Sequence, residues 1–184
     1  MRIIAGEFSS RKIIAPKGEH TRPTLDKVRE AVFSSLGGMF YGGDFLDLYG
    51  GSGANALEAL SRGMDKAIIV DIDAHAIEAI KENIKNLQLE NRTQVLKMKD
   101  TIALKHCADE NMQFMVVYLD PPYAKQKNEK ILQLLEEYHL LVDGAIVVIE
   151  SSKDDIFKDE IGTLHKVKEN IYGTAKITYY KKEG

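Results

Sequence analysis

Asp120-Pro121-Pro122-Tyr123 follows directly on the apolar run Met115-Val-Val-Tyr-Leu119. An acid, a carbonyl flanked by proline and an aromatic ring in four residues suit attack by an exocyclic amino nitrogen of a nucleobase. The lone pair of such a nitrogen is delocalised into the ring, so it attacks only when acceptors hold its N–H groups and favour a tetrahedral geometry. The Asp120 carboxylate and the Pro121 carbonyl are candidates for those two acceptors. The prolines remove competing backbone donors and stiffen the turn, Pro122 borders the base, and Tyr123 can stack on its face. Most of the catalytic work is then positioning, with Asp120 also steadying positive charge on nitrogen. Pro-Pro in an ordinary turn beside a surface acid is the plainer reading, and the place of the segment at a strand's carboxyl end argues against it. Carbon methylation of a pyrimidine needs a cysteine nucleophile, whereas Cys107 falls on the preceding helix or loop and reads as a packed residue.

A second constellation precedes this one. Phe45-Leu-Asp47-Leu-Tyr-Gly50-Gly51-Ser-Gly53 is a strand running into a glycine turn and then a helix. Gly51 and Gly53 let the backbone approach a ligand, with the helix N-terminus aimed at it. Asp71, ending the next strand, is placed to accept ribose hydroxyls. The pattern points to an adenosine-containing cofactor. Gly51-Ser-Gly53-Ala-Asn-Ala56 also satisfies the dinucleotide fingerprint, and Tyr123 and Lys127 have the Tyr-x-x-x-Lys spacing of short-chain dehydrogenases. That pair belongs on a helix, however, and Pro121-Pro122 favours extended backbone. Asp47 suits the cationic amino group of S-adenosylmethionine. Asp100 is a candidate for the adenine amino group or for a helix cap, and Ile72 for covering the ring.

These residues need a frame that brings strand ends together. Strands read at 44–49, 67–72, 93–98, 115–119 and 145–150, alternating with helices at about 54–62, 74–87, 101–106 and 127–138. Two further strands, 164–171 and 174–181, flank Tyr172-Gly173 as an antiparallel hairpin. The expected fold is α/β: a doubly wound, mainly parallel seven-stranded sheet with a C-terminal hairpin and a short N-terminal β/helix extension. One domain is expected over 1–184, with a basic extension at 1–23, a leading helix at 24–38 and the core at 44–184. Ligands of such folds sit where the strand order reverses.

Composition fits a globular chain: 184 residues, 44% apolar, and no apolar run long enough for a membrane span. One cysteine excludes an internal disulfide, and five scattered histidines argue against structural zinc. A cytoplasmic monomer without a metal is expected. Net charge is −3, but residues 1–29 carry seven basic against three acidic side chains, +4, leaving −7 for the remainder. Arg2, Arg11, Lys12, Arg22 and Arg29 are therefore candidates for phosphate contacts; a solvated, mixed-charge surface is the plainer reading.

The chain resembles the bacterial 16S rRNA guanine-N2 methyltransferases of the RsmD type. The resemblance runs through Met1-Arg-Ile-Ile-Ala-Gly6, Arg11-Lys12-Ile13, Pro16-Lys17-Gly18, Thr21-Arg-Pro-Thr24, Val28-Arg-Glu30, Asp47–Gly53, Leu57-Glu-Ala-Leu-Ser-Arg-Gly63, Asp120–Tyr123 and Tyr172-Gly173. It implies a Rossmann-like class I methyltransferase that uses S-adenosylmethionine. The implied target is one guanine of 16S rRNA, in a small subunit or a late assembly intermediate. Thr24, on the family's N-terminal motif, is implied to border the cofactor. Gly50 stands where the pattern often has Ala, and Asp71 where Glu is common. DNA amino-methylases and protein-glutamine methylases share the tetrapeptide or a relative of it and remain the alternatives.

Overall fold

The computed structural model describes residues 1–18 and 23–184, and within these every side chain but those of Pro23, Thr24, Leu25 and Tyr123. Arg22 lies outside the described residues, as do the side chains of Thr24 and Tyr123.

Alternation along the central strands builds two apolar layers. In β1 (Asp44–Asp47), β2 (Lys66–Asp71) and β4 (Phe114–Leu119), Phe45, Ile69, Val116 and Tyr118 face one side. Leu46, Ile68, Val70, Val117 and Leu119 face the other. Burial on both faces explains why these strands read as almost unbroken apolar runs. The first layer is closed by α1 (Pro23–Ser35), α2 (Ala54–Ser61) and α3 (Ala74–Asn86) through Val32, Phe33, Leu57, Leu60, Ile77 and Ile80. The second is closed by α4 (Asp100–Asp109) and α5 (Asn128–Glu137) through Leu104, Cys107, Ile131, Leu132 and Leu135.

Together with β3 (Thr93–Lys97), β5 (Leu141–Ser152), β6 (Glu160–Ile161), β7 (Leu164–Tyr172) and β8 (Ala175–Lys182), the sheet runs in the order β3-β2-β1-β4-β5-β8-β7-β6. The first five are parallel, and β8 inserts antiparallel between β5 and β7. The fold is the expected α/β class, with eight strands among the described residues rather than seven. The extra strand, β6, has two residues, too few to show a period. The β-like runs near the N-terminus form only a single antiparallel bridge, Arg2 to Lys12.

Instead of extending a sheet, the N-terminal segment is fastened to α2 and α3. Ile3 and Ile13 are buried in the first layer. The fully buried Glu58 accepts the N–H groups of Ile4 (2.9 Å) and Ala5 (3.1 Å). Ser61 Oγ accepts from Phe8 N–H at 2.9 Å and donates to the Ala5 carbonyl at 2.6 Å. Gly6, at φ +89°, passes so close that a Cβ there would lie 1.9 Å from the Ser61 carbonyl oxygen. A side chain at position 6 would push the segment off α2.

Candidate active site

The strand order reverses between β1 and β4, whose carboxyl ends open onto a cavity of about 810 Å³, the position expected of a ligand site in this architecture. The glycine loop forms one wall. Gly51 (φ +60°) and Gly53 (φ +83°) both adopt left-handed backbone, and Gly53 caps α2 without a side-chain bond, while Ser52 Oγ accepts the Ala54 N–H at 3.3 Å. Asp71 closes the loop: it accepts from Gly51 N–H and Asp73 N–H, each at 2.9 Å. Each carboxylate oxygen keeps a second lone pair for a hydroxyl. Next to it Ile72 is 67% exposed and lines the cavity, an apolar face beside the Asp71 carboxylate.

Asp100 borders the same wall as the first residue of α4 rather than as its cap, which is Lys99. Its carboxylate accepts from the Tyr49 hydroxyl at 2.7 Å and from Thr101 N–H at 2.7 Å, and pairs with Lys127 at 3.3 Å. Burial raises its pKa, but these bonds and the Lys127 charge outweigh that effect and leave it below the ordinary value. Asp100 is thereby held as a fixed anion.

The floor is acidic. Asp47, 1% exposed, stands beneath the cavity lining rather than on it, and neither carboxylate oxygen has a hydrogen-bond partner. Burial, then the charge of Asp71, push its pKa up to about 7, while backbone N–H groups of Ala56 and Tyr49 oppose the shift from outside bonding geometry. Asp120, Pro121 and Pro122 line the cavity just past β4. Parallel pairing of Leu119 with Ile149 makes the next residues, Asp120 and Glu150, neighbours across β4 and β5. Both line the cavity, and Tyr118 donates to Glu150 at 3.4 Å. Burial first, then the Glu150 and Asp47 charges, hold the Asp120 carboxyl well above the usual range, and burial likewise raises Glu150. A buried group of mutually repelling acids is complementary to a cationic ligand. It is the wrong environment for a pyrophosphate.

The family model described as "Conserved hypothetical protein 95" matches residues 1–181. The chain belongs to this family, the RsmD family of methyltransferases. A Bacillus subtilis protein provisionally named rRNA methyltransferase YlbH is 39% identical over 184 residues, covering all of both chains. Ribosomal RNA small subunit methyltransferase D of Escherichia coli is 29% identical over 183 residues, spanning 100% of this chain and 90% of that protein. Among solved structures, a conserved hypothetical protein of Streptococcus pyogenes is 40% identical with a TM-score of 0.80, covering 85% of this chain and 96% of its own.

In this RsmD-family chain the N-terminal cations divide. Arg2, Arg11 and Lys12 are exposed, and Met1 and Ala15 of the same segment line the cavity. None of these three lines the cavity, and Arg2 and Arg11 each donate to a backbone carbonyl, of Ser10 and Asn86, at 2.8 Å. Arg29 differs from these three. It is 4% exposed, donates to the Arg2 carbonyl, and pairs with Asp26 at 3.0 Å and Glu58 at 3.4 Å. Its charge neutralises Glu58 together with Arg62, which lies 2.7 Å from the same carboxyl, so although Arg29 reaches the cavity lining its charge is engaged within the fold.

The sequence reading passes over Glu150, Tyr49 and Lys125 and weighs Lys127 only in a dehydrogenase pairing with Tyr123, yet all four line the cavity. For Glu150 a signal exists: like Asp120 it is an acid ending an apolar strand. Tyr49 and the two lysines carry none, since their roles depend on where α4 and the turn after the prolines are packed.

Proposed function

We propose that this chain transfers a methyl group from S-adenosylmethionine to the exocyclic N2 of one guanine of 16S rRNA in the small ribosomal subunit or a late assembly intermediate. The observation carrying the reading is the acid floor under the glycine loop. Asp47, Asp120 and Glu150 stand together with raised pKa values, an arrangement relieved by the positive charge of a sulfonium cofactor and disfavoured by a dinucleotide. Relatives of nearly the same length are named as small-subunit rRNA methyltransferases, which supports the RNA substrate.

The cofactor, when bound, supplies an electrophilic methyl group on a cationic sulfur. Asp71 takes the ribose hydroxyls and Ile72 covers the adenine. Asp100, already fixed by Tyr49 and Lys127, would accept from the adenine amino group, and Thr24 would border the cofactor. Asp47 favours the cationic end from beneath the loop. The Asp120 carboxylate and the Pro121 carbonyl hold the two N2–H groups, Pro122 edges the base, and Tyr123 stacks on it. Transfer would break the sulfur–methyl bond as the N–C bond forms, leaving a neutral thioether, and the surplus proton of the positive nitrogen would pass to the Asp120–Glu150 carboxyl pair. The target base is turned out of its stack to reach these groups, while Arg2, Arg11, Lys12 and Arg22 grip flanking phosphates. Nucleoside mass spectrometry of 16S rRNA from cells lacking the protein tests the reading: N2-methylguanosine should disappear at one position and return with the wild-type gene. Loss of N6-methyladenosine or of no modification would refute it.

A further inference from the structure

Glu150 lines the cavity floor, and the mechanism above uses it only to share the released proton with Asp120, giving it no hydrogen bond to the base. The end-to-end pairing of β4 and β5 puts it beside Asp120, both side chains open to the same cavity. Tyr118 donates to one oxygen of its carboxyl and leaves acceptor positions unused. We propose that Glu150 selects guanine by accepting its N1–H while Asp120 and the Pro121 carbonyl hold N2, an inference that rests on the guanine-N2 reading above.

The Watson–Crick edge of guanine carries three N–H bonds in a row, one on N1 and two on N2. Two adjacent carboxyl groups and a carbonyl present the matching row of acceptors. Adenine and cytosine carry an amino group beside an unprotonated ring nitrogen, so their ring lone pair would face the Glu150 carboxylate. A partly buried site that hydrogen-bonds one donor discriminates strongly against an analogue that lacks it, because its own polar group is left unpaired. Glu150 is thus a specificity residue, and Asp120 remains the acceptor at the reacting nitrogen.

The discriminating analogue is 2,6-diaminopurine, which keeps the N2 amino group and replaces N1–H with a lone pair. Small-subunit particles reconstituted with guanine or 2,6-diaminopurine at the methylated position would be assayed with wild type and Glu150→Gln, alongside cofactor affinity and a melting curve. Wild type should prefer guanine by at least ~10-fold in kcat/KM. Glu150→Gln, whose amide donates to a ring lone pair, should lower activity on guanine and bring the preference to near unity or reverse it, with cofactor affinity within about twofold. Equal wild-type activity on both bases would overturn the proposal. So would an unchanged preference in the folded variant. If Glu150→Gln is inactive on both bases, Glu150→Ala is measured in the same way, and an equal loss on both again overturns it. Absence of any guanine methylation by wild type would instead refute the underlying function.

Discussion

Asn83 and Ile14 bond to each other in both directions: the Ile14 N–H donates to Asn83 Oδ1 at 2.8 Å, and Asn83 Nδ2 donates to the Ile14 carbonyl at 2.9 Å. The same amide nitrogen also donates to the Ser52 carbonyl at 3.0 Å. One buried side chain on α3 therefore ties the N-terminal segment to the glycine loop. Asn83→Ala should cost about 2–4 kcal/mol, because it leaves backbone groups of both segments without partners. It should also weaken S-adenosylmethionine binding by loosening Gly51. Denaturant unfolding and calorimetry on the same variant check the two together.

Cofactor contact and chemistry should separate. Asp71→Ala is expected to weaken S-adenosylmethionine binding by roughly 1.5–3 kcal/mol, the scale of hydrogen bonds to a charged group. Asp120→Ala should leave that affinity largely intact and lower kcat on the order of 100-fold. Titration calorimetry and single-turnover methyl transfer distinguish them. Normal cofactor binding by Asp71→Ala would refute the ribose assignment.

Asp47 predicts a pH dependence. Its pKa in the folded chain is raised from 3.8 to about 7, so its contribution to stability is complete below about 3.8 and is lost as pH rises through about 7. A cation over the ionised form offsets that loss. Affinity for S-adenosylmethionine should therefore climb with pH up to about 7 and then level, with proton release on binding at pH 6. In Asp47→Asn the acid limb should flatten. The free variant should also melt above the free wild type at pH 8, because an uncompensated buried charge has been removed.

Cys107 is fully buried against the second apolar layer, and burial pushes its thiol up to about 11. It has neither the access nor the ionisation of a nucleophile. Cys107→Ala should keep near-normal turnover and lose about 1 kcal/mol of stability for the small cavity. A covalent RNA adduct trapped through this residue would refute attack by an amino nitrogen.

Removing N-terminal cations should have two different effects. Replacing Arg11 and Lys12 by alanine should weaken RNA binding and lower the log–log salt slope by roughly 0.7–0.9 per phosphate contact, with melting little changed. Arg29→Ala should leave that slope alone and cost about 3 kcal/mol, the low end for breaking a buried pair, since Arg62 still holds Glu58. A salt series with melting curves on both proteins measures the division. An unchanged slope in a stable Arg11 and Lys12 variant would remove that surface from RNA recognition.

The order of strands and helices, the glycine turn before α2 and the tetrapeptide after β4 were legible in the sequence because each is written in neighbouring residues. Apolar period, glycine spacing and the proline pair act within one turn or one strand. Asp71 and Asp120 could be placed for the same reason: each ends a strand whose direction the alternating pattern had already set. What only the tertiary structure decided is which distant groups meet. Glu150 stands beside Asp120 because β4 and β5 pair in one register, which is set by packing on both faces of the sheet and not by either strand alone. Arg29 turns inward because Glu58, sealed in the first layer, needs a counter-charge; as a lone cation on a helix it reads as surface. The N-terminal runs look like strands, yet they spend their hydrogen bonds on Glu58, Ser61 and Asn83. Buried polar groups must be satisfied, and here their partners are 53 to 69 residues away along the chain, a distance that no local pattern encodes.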